Sequence, residues 1–295
     1  MGLRIRTNIS SLTAQRSLQN STNAMRETSA QLASGYRINK AADDAAGLAI
    51  SSNLTARSKS LEQATRNAND GVSLIQVAEG GMNEITNMLV RLRELATQAA
   101  SDTIGNKERS YTNREYVGLV DEIERIANTT EFNGMKLFKG GEGNGDVKDL
   151  FTIHVGAGDG KVANTDQIKI DVEQMKFDPL ADLGLGKESE IGPLVEGGDF
   201  SRETAAAKLT ILDTALSKIS SNRSYLGAQQ SRMGSAINNL GIEVENLKSA
   251  NSRIRDVDFA SASAQFTQNK ILQSAGVSVL AQANSEPNAA LELLR

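Results

Sequence analysis

Few residues in this 295-residue chain could perform chemistry. His154 is the only histidine and cysteine is absent, so Ser-His pairs, Cys-His pairs and thiolate metal sites have little to draw on. The middle of the chain contains no HExxH sequence, which excludes a zincin-type proteolytic insert. We therefore predict no catalytic residue, no metal site and no cofactor, and a hydrogen-bonded structural role for His154.

The adjacent carboxylates Asp43 and Asp44 are the other chemical candidate. Two carboxylates can act as general acid and general base when they face each other across a substrate. Neighbours in sequence at the start of a helix more often accept hydrogen bonds from free backbone N–H groups and interact with the helix dipole. We interpret the pair as a helix cap and predict that the protein is not an enzyme.

Composition and charge argue against several further classes of protein. Tryptophan is absent and aromatic residues make up 4%, so little apolar area is available per residue for a thick core. A formal net charge of -4 gives no reason to expect nucleic-acid binding, and no 18-residue apolar run predicts a membrane span. The first ten residues contain no apolar segment typical of a secretory signal. We expect any export to use a route that does not read a cleaved signal peptide.

Hydrophobic periodicity is strongest in two long segments. One heptad column consists of Leu54, Leu61, Ala68, Ile75, Met82, Leu89 and Ala96, and a second consists of Leu212, Ile219, Leu226, Met233, Leu240, Leu247 and Ile254. Apolar residues that recur every seven positions stay on one shared face of packed helices. We therefore predict a mainly α fold, a long coiled-coil hairpin built from the N- and C-terminal halves, with one helix over about 43–101. A shorter amphipathic helix is predicted over about 106–128.

Polar residues interrupt the column that accompanies the second seam. Arg223, Gln230 and Asn251 occupy positions that would otherwise be apolar, and we interpret them as candidates for fixing the register of the helices.

The middle of the chain has a different pattern. Residues 132–138, 151–155 and 168–172 alternate in the manner of strands and are separated by glycine-rich stretches. We predict a small β-hairpin region, followed by an acidic loop that extends to about residue 200.

The two ends of the chain repeat the helical pattern with smaller side chains. Leu18, Met25 and Leu32 recur at seven residues, as do Phe259 and Phe266, but Ser, Thr, Asn and Ala fill most of the remaining surface. Such helices bury too little area to offset the cost of ordering a backbone, roughly 1–2 kcal/mol per residue. We expect the ends to be disordered in an isolated chain and to fold against neighbours.

Short sequences along nearly the whole chain resemble those of one family, the bacterial flagellins. The matching sequences are TNISSL (7–12) with QR (15–16), LASGYRIN (32–39), DDAAGLAI (43–50), RLRELA (91–96), FNG (132–134), SRIRD (252–256), and AQAN (281–284) with Leu291 and Leu294. Arg6 and Arg255 depart from the residues frequent at those positions in the family. The short middle leaves no room for the large variable outer domains that many flagellins carry.

The resemblance implies a structural subunit that self-assembles into the bacterial flagellar filament, the propeller for swimming. In flagellins the paired chain ends line the central channel and the longer helices form an outer tube. Here residues 1–42 with 255–295 would be the inner tube and 43–254 the outer tube. The inner contacts would involve Leu12, Leu18, Met25, Leu32, Phe259, Phe266, Ile271 and Leu280. The outer seam would involve Leu54, Leu61, Ile75, Met82, Leu89, Leu212, Ile219, Leu226, Met233, Leu240 and Leu247.

The same resemblance implies a set of partners. These are copies of the chain itself, a flagellar type III export chaperone at the C-terminal segment, the filament cap, and hook-filament junction proteins, with the finished filament outside the cell. Arg91, Leu95 and Glu115 match positions at which flagellins are sensed by an animal Toll-like receptor. Three alternatives stay open: a hook-filament junction protein with flagellin-like ends, an enzyme carried on such ends, and an adhesin.

Overall fold

A computed structural model describes residues 8–138, 150–158, 166–171, 174 and 202–292. Five helices account for most of this part of the chain: α1 Ile9–Ser34, α2 Ala45–Ala99, α3 Asn106–Thr129, α4 Arg202–Arg255 and α5 Phe259–Glu292. The mainly α prediction is confirmed, and α2 and α3 match the predicted helices within a few residues. The glycines of α2 do not interrupt it.

Local sequence accounts for the ends of the first two helices. The Asn8 side chain caps α1 by accepting a 3.0 Å hydrogen bond from Ser11 N, and Gly35 ends the helix in the left-handed region at φ 75°. Before α2, the Asp44 carboxylate accepts from Gly47 N at 2.9 Å, and the Asp43 carboxylate accepts from the backbone N–H groups of residues 39 and 40. Asp44 thus caps the first turn of α2, whereas Asp43 binds the N–H groups of the loop that precedes the helix.

Four short strands form two antiparallel pairs in the described part of the chain. Strands β1 Glu131–Phe132 and β2 Met135–Lys136 are joined by Asn133 and Gly134, both at positive φ, which is the two-residue hairpin turn that an Asn-Gly pair favours. Strands β3 Leu150–His154 and β4 Gln167–Asp171 pair with Phe151 opposite Ile170. The predicted hairpin region is therefore present. Val172 and most of the predicted acidic loop lie outside the described residues.

The chain divides into two compact units. Unit 1 contains residues 1–58 and 245–295, and unit 2 contains residues 59–244. These boundaries fall inside α2 and α4, whereas the predicted inner and outer tubes divide near residues 42 and 255. The tube assignment concerns positions in a filament and stays a prediction.

Unit 2 contains the main hydrophobic core. Its largest fully buried side chains come from α2, α3, the segment after β2, and β4, and they include Met82, Leu89, Tyr116, Ile123, Leu137, Phe138 and Ile170. Leu212, Ile219, Leu226 and Met233 of α4 belong to the same cluster. The outer-seam residues Leu61, Ile75 and Leu240 are also buried, while Leu54 and Leu247, which belong to unit 1, are half-buried. Helix periodicity therefore placed this core from sequence.

Candidate assembly surface

In unit 1 the helices α1 and α5 pack antiparallel along a narrow seam. Its α1 side is formed by Ser11, Ala14, Leu18, Ser21, Met25, Thr28 and Leu32, and its α5 side by Ala262, Phe266, Asn269, Gln273, Gly276, Leu280 and Ala283. Both sets recur at three and four residues, which is the spacing of a coiled-coil seam. Small residues allow a close approach, since a Cβ on Gly276 would lie 3.4 Å from Leu18 Cδ1.

Hydrogen bonds join the N-terminal end of α1 to the C-terminal part of α5. Asn8 Nδ2 donates to the Ala283 carbonyl at 2.7 Å, and Ser11 Oγ donates to Asn284 Oδ1 at 2.7 Å. The latter bond is exposed and the former half-buried, so both compete with water. They fix the pairing of residue 11 with residue 284 in the structure.

The residues predicted for the inner contacts divide into two groups. Leu18, Met25, Leu32, Phe266 and Leu280 lie on the α1–α5 seam. Leu12, Phe259 and Ile271 do not, and their exposed fractions are 56%, 57% and 64%. Other exposed apolar side chains on the same two helices are Ile9, Leu272, Val277 and Val279. A single chain therefore leaves apolar side chains of both helices uncovered away from the seam, and we call this surface the outer face of the pair.

The C-terminal end of α1 and the N-terminal end of α5 meet at a compact joint. We call this joint the elbow clamp, and it consists of Gly35, Tyr36 and Arg37 with residues 254–257. Arg37 N donates to the Arg255 carbonyl at 2.7 Å, and Val257 N donates to the Gly35 carbonyl at 3.0 Å. Arg37 Nη2 donates to the Ile254 carbonyl at 2.7 Å. The Arg255 guanidinium carbon lies 4.3 Å from the centre of the Tyr36 ring, a cation–π distance.

In unit 2 the three positions matched to receptor recognition have different accessibilities. Arg91 and Glu115 form a salt bridge of 2.7 Å between α2 and α3, and both side chains are about half exposed. Arg91 also pairs with Glu94 at 2.9 Å, and hydrogen bonds to Glu115 first and Glu94 second raise the pKa of Arg91. Leu95 is 3% exposed, so its side chain belongs to the core of this unit.

Other titratable groups of the described chain have structural partners. Arg93 of α2 forms a 2.7 Å salt bridge with Asp213 of α4, which raises the pKa of Arg93. The backbone N–H of Lys40, followed by that of Asn39, lowers the pKa of Asp43. Tyr116 is buried with its hydroxyl unpaired, and burial raises its pKa far above the ordinary value.

The described residues contain no group of three His, Asp or Glu side chains placed to hold a metal ion. His154 lies in β3 with a half-buried side chain, and its carbonyl accepts a 3.1 Å hydrogen bond from Asn67 Nδ2. Among these same residues, no helix is both long and apolar enough for a membrane crossing.

The sequence matches two family models that lie at opposite ends of the chain. The bacterial flagellin N-terminal helical region matches residues 5–142, and the bacterial flagellin C-terminal helical region matches residues 209–294. A flagellin from Halalkalibacterium halodurans is 40% identical over 289 residues, which cover 98% of each chain. The chain belongs to the bacterial flagellins. It is a structural subunit of the flagellar filament, the polymer that serves as the propeller for swimming.

Two further comparisons concern length and fold. Polar flagellin C of Vibrio parahaemolyticus is 34% identical and covers all of both chains in an alignment of 384 residues. Because the alignment exceeds the 295 residues of this chain, that flagellin has segments that are missing here, as expected for a short form. A flagellar hook-associated protein from Vibrio parahaemolyticus is 18% identical, covers 73% of this chain and 97% of that chain, and has a TM-score of 0.52. That likeness extends to the fold alone.

Sequence reasoning missed two features of this flagellin. The buried polar residues of α4 include Asn222 and Gln229, whereas the register candidates Arg223, Gln230 and Asn251 are half-buried. The predicted column ran one residue too late because α4 is covered on a different side from the one assumed. The elbow clamp was also missed, since it consists largely of backbone hydrogen bonds. The signal available in the sequence was Gly35, a residue type that favours the left-handed backbone found there.

Proposed function

We propose that the α1–α5 pair forms the inner tube of the filament and that the helices of unit 2 form the outer tube. The observation that carries this proposal is the poverty of the core in unit 1. Among its described residues, the fully buried apolar side chains are Ile38 and three alanines, Ala14, Ala262 and Ala283. Ordering a helix pair costs roughly 1–2 kcal/mol per residue in backbone entropy, which so few buried methyl groups do not offset.

Neighbouring copies supply the missing burial. Each copy presents the same outer face, with Leu12, Phe259 and Ile271 exposed, and identical copies related by a repeated rotation and translation form contacts that never close. Folding of the ends is then linked to polymerisation, because copies that bind only the ordered ends stabilise that order. The resulting function is mechanical and has no catalytic step.

Limited proteolysis of monomer and polymer tests this coupling. We expect the first and last roughly 40 residues to be cut quickly in the monomer and to be protected in the polymer, while the core of unit 2 resists in both. Fragments identified by mass spectrometry place the cuts. Equal resistance of the ends in both states would contradict the proposal.

Seeded elongation separates a filament subunit from a hook-filament junction protein. The fold of this chain resembles that of a hook-associated protein as well, so fold alone does not distinguish the two. We expect purified chain to elongate short filament seeds without limit. Addition of a single layer that then blocks growth would indicate a junction protein.

The partners and the location follow from an extracellular filament. The export chaperone would bind the C-terminal segment before assembly, when no other subunit yet contacts the exposed apolar side chains of α5. Subunits would add beneath the filament cap, on a base of hook-filament junction proteins, outside the cell. An absence of cysteine suits a chain exported unfolded, because no disulfide has to form after passage.

The receptor site is part of the same proposal. Arg91 and Glu115 offer the Toll-like receptor a half-exposed, paired surface, whereas Leu95 contributes by supporting α2 from beneath. We expect Arg91→Ala to reduce receptor activation by monomer, with Arg93→Ala as the control on the same helix. An equal loss in both variants would contradict a specific role for Arg91.

A further inference from the structure

The packing of the α1–α5 seam specifies its register poorly, and its polar bonds, donated by Asn8, Ser11 and Gln273, are exposed or half-buried and compete with water. Its largest α1 residues, Leu18, Met25 and Leu32, occupy one column at intervals of seven, and the α5 side repeats at the same interval. A slip of seven residues would place Leu18 opposite Asn269 or Ala283 in place of Gly276, so a large α1 residue would again face a small or polar one. Because most of the other seam residues are small or polar, the shifted pairing loses little packing.

The elbow clamp, in contrast, has one register only. Its hydrogen bonds join named backbone atoms of residues 35 and 37 to residues 254, 255 and 257, and a slip of a single residue breaks all of them. Directly after the clamp in sequence comes Ile38, the one large apolar side chain that is fully buried in the described part of unit 1. A Cβ on Gly47 would lie 2.8 Å from Ile38 Cδ1, so the packing there is tight.

Two side chains strengthen this joint. The Arg37 guanidinium donates to the Ile254 carbonyl near the end of α4, where the helix has unpaired carbonyl groups. The Arg255 guanidinium covers the ring of Tyr36, which is 39% exposed, and holds the two chain segments against each other. The neighbouring Arg253, in contrast, bonds only within its own helix, to Ser249 Oγ at 3.2 Å.

We infer that Tyr36 and Arg255 are positioning residues that set the register of α1 against α5 during filament assembly. The clamp joins the C-terminal end of α1 to the N-terminal end of α5, and pairing proceeds outward from it to residues 11 and 284. This inference rests on the proposed pairing of α1 with α5 in the inner tube. The elbow clamp would thus control the pairing of two helices although none of its residues lies on the α1–α5 seam.

Disulfide trapping measures the register directly, because the chain has no cysteine of its own. The native register is reported by Ser11→Cys with Asn284→Cys, whose parent side chains lie 2.7 Å apart. The shifted register is reported by Ser11→Cys with Val277→Cys, seven residues and about 10.5 Å away along the helix. That separation exceeds the reach of a disulfide, about 7 Å between Cα atoms.

Each cysteine pair is assembled in full-length chain on wild-type seeds with an excess of wild-type subunits, so that trapped disulfides are within one chain. After oxidation and dissolution, non-reducing electrophoresis gives the yield of each disulfide. We expect Tyr36→Ala and Arg255→Ala to lower the ratio of native to shifted disulfide about two- to fivefold, the factor given by a partly exposed cation–π contact. Tyr36→Phe retains the ring and Arg253→Ala leaves the clamp intact, so both should keep the original ratio.

The outcomes separate the two proposals. A low native yield with the clamp intact would contradict the α1–α5 pairing itself. A high native yield that is unchanged by Tyr36→Ala and by Arg255→Ala would overturn the role of the clamp, as would an equal effect of Arg253→Ala. If Arg255→Ala fails to assemble, the comparison of Tyr36→Ala with Tyr36→Phe decides the question.

Discussion

Adding a single methyl group at Gly71 tests how tightly the β3–β4 hairpin is seated on the helices of unit 2. Gly71 lies on the buried face of α2, where an added Cβ would overlap Ile153 Cδ1 of β3 and lie 2.9 Å from Met233 Cε of α4. The contacted atoms are the ends of flexible side chains, but Met233 is fully buried and has little space to move into. Glycine at this position therefore permits the close approach of three elements.

The expected magnitude comes from two opposing effects. Alanine is a better helix former than glycine by about 1 kcal/mol, whereas overpacking a buried site costs typically 1–3 kcal/mol. Gly80 on the same helix provides the matched control, because it is exposed and an added Cβ would meet nothing within 4 Å. The helix-forming gain is common to both positions, so Gly71→Ala should be about 1–3 kcal/mol less stable than Gly80→Ala.

A double-mutant cycle assigns the cost to the hairpin. Ile153→Val removes the overlapping Cδ1 atom and should cost about 0.5–1.5 kcal/mol in wild-type chain. In the Gly71→Ala background the same change relieves the overlap, so it should cost close to nothing, giving a coupling energy of about 1 kcal/mol. Urea unfolding of the monomer, followed by circular dichroism, measures all four free energies. Equal stability of Gly71→Ala and Gly80→Ala would refute the tight seating of the hairpin.

Three further predictions concern single interactions. Tyr116→Phe removes a buried, unpaired hydroxyl and should leave the free energy of unfolding unchanged or raise it by about 1 kcal/mol, with Tyr111→Phe as the exposed control. Because burial raises the pKa of Tyr116 in the folded state, the stability of wild type should fall above about pH 10, and Tyr116→Phe should reduce that fall in alkaline unfolding curves. Asp213→Ala breaks an exposed ion pair with Arg93 and should lower the free energy of unfolding only slightly, an effect that disappears in unfolding at 1 M salt. Gly35→Ala forces alanine into the left-handed region and should destabilise filaments by about 1 kcal/mol per subunit, measured as a lower dissociation temperature; an unchanged temperature would contradict the strained C-cap.

Hydrophobic periodicity was enough to predict the helices and the core of unit 2. The columns through Ile75 and through Leu226 belong to long helices whose large side chains have one buried face, and a heptad repeat identifies that face. On α5 the same reasoning does not separate the two sides of the helix: Gln273 lies on the seam, while Ile271 is exposed and stays a predicted contact in the filament. When a helix is apolar on more than one side, residue type alone does not show which side meets the partner within the same chain.

Two kinds of interaction could not be predicted from the sequence: ion pairs between residues far apart in the chain, and hydrogen bonds between backbone atoms. The pairing of Arg91 with Glu115 depends on the position of α3 against α2, which follows from the loop at 100–105 and has no signal in the charge pattern. The elbow clamp uses carbonyl and N–H groups that every residue possesses. Sequence marks such a joint only where it needs an unusual backbone angle, as at Gly35.

Large buried side chains are distributed unevenly, and this bears on when each part of the flagellin can fold. Unit 2 buries Tyr116, Phe138 and many aliphatic residues, so it has enough core to order as soon as the chain is free. In the α1–α5 pair several apolar residues are exposed in a single chain, so under the proposed coupling to polymerisation its order depends on subunit concentration. Strengthening the α1–α5 seam with larger residues would remove this dependence and allow the ends to order before they reach the growing tip.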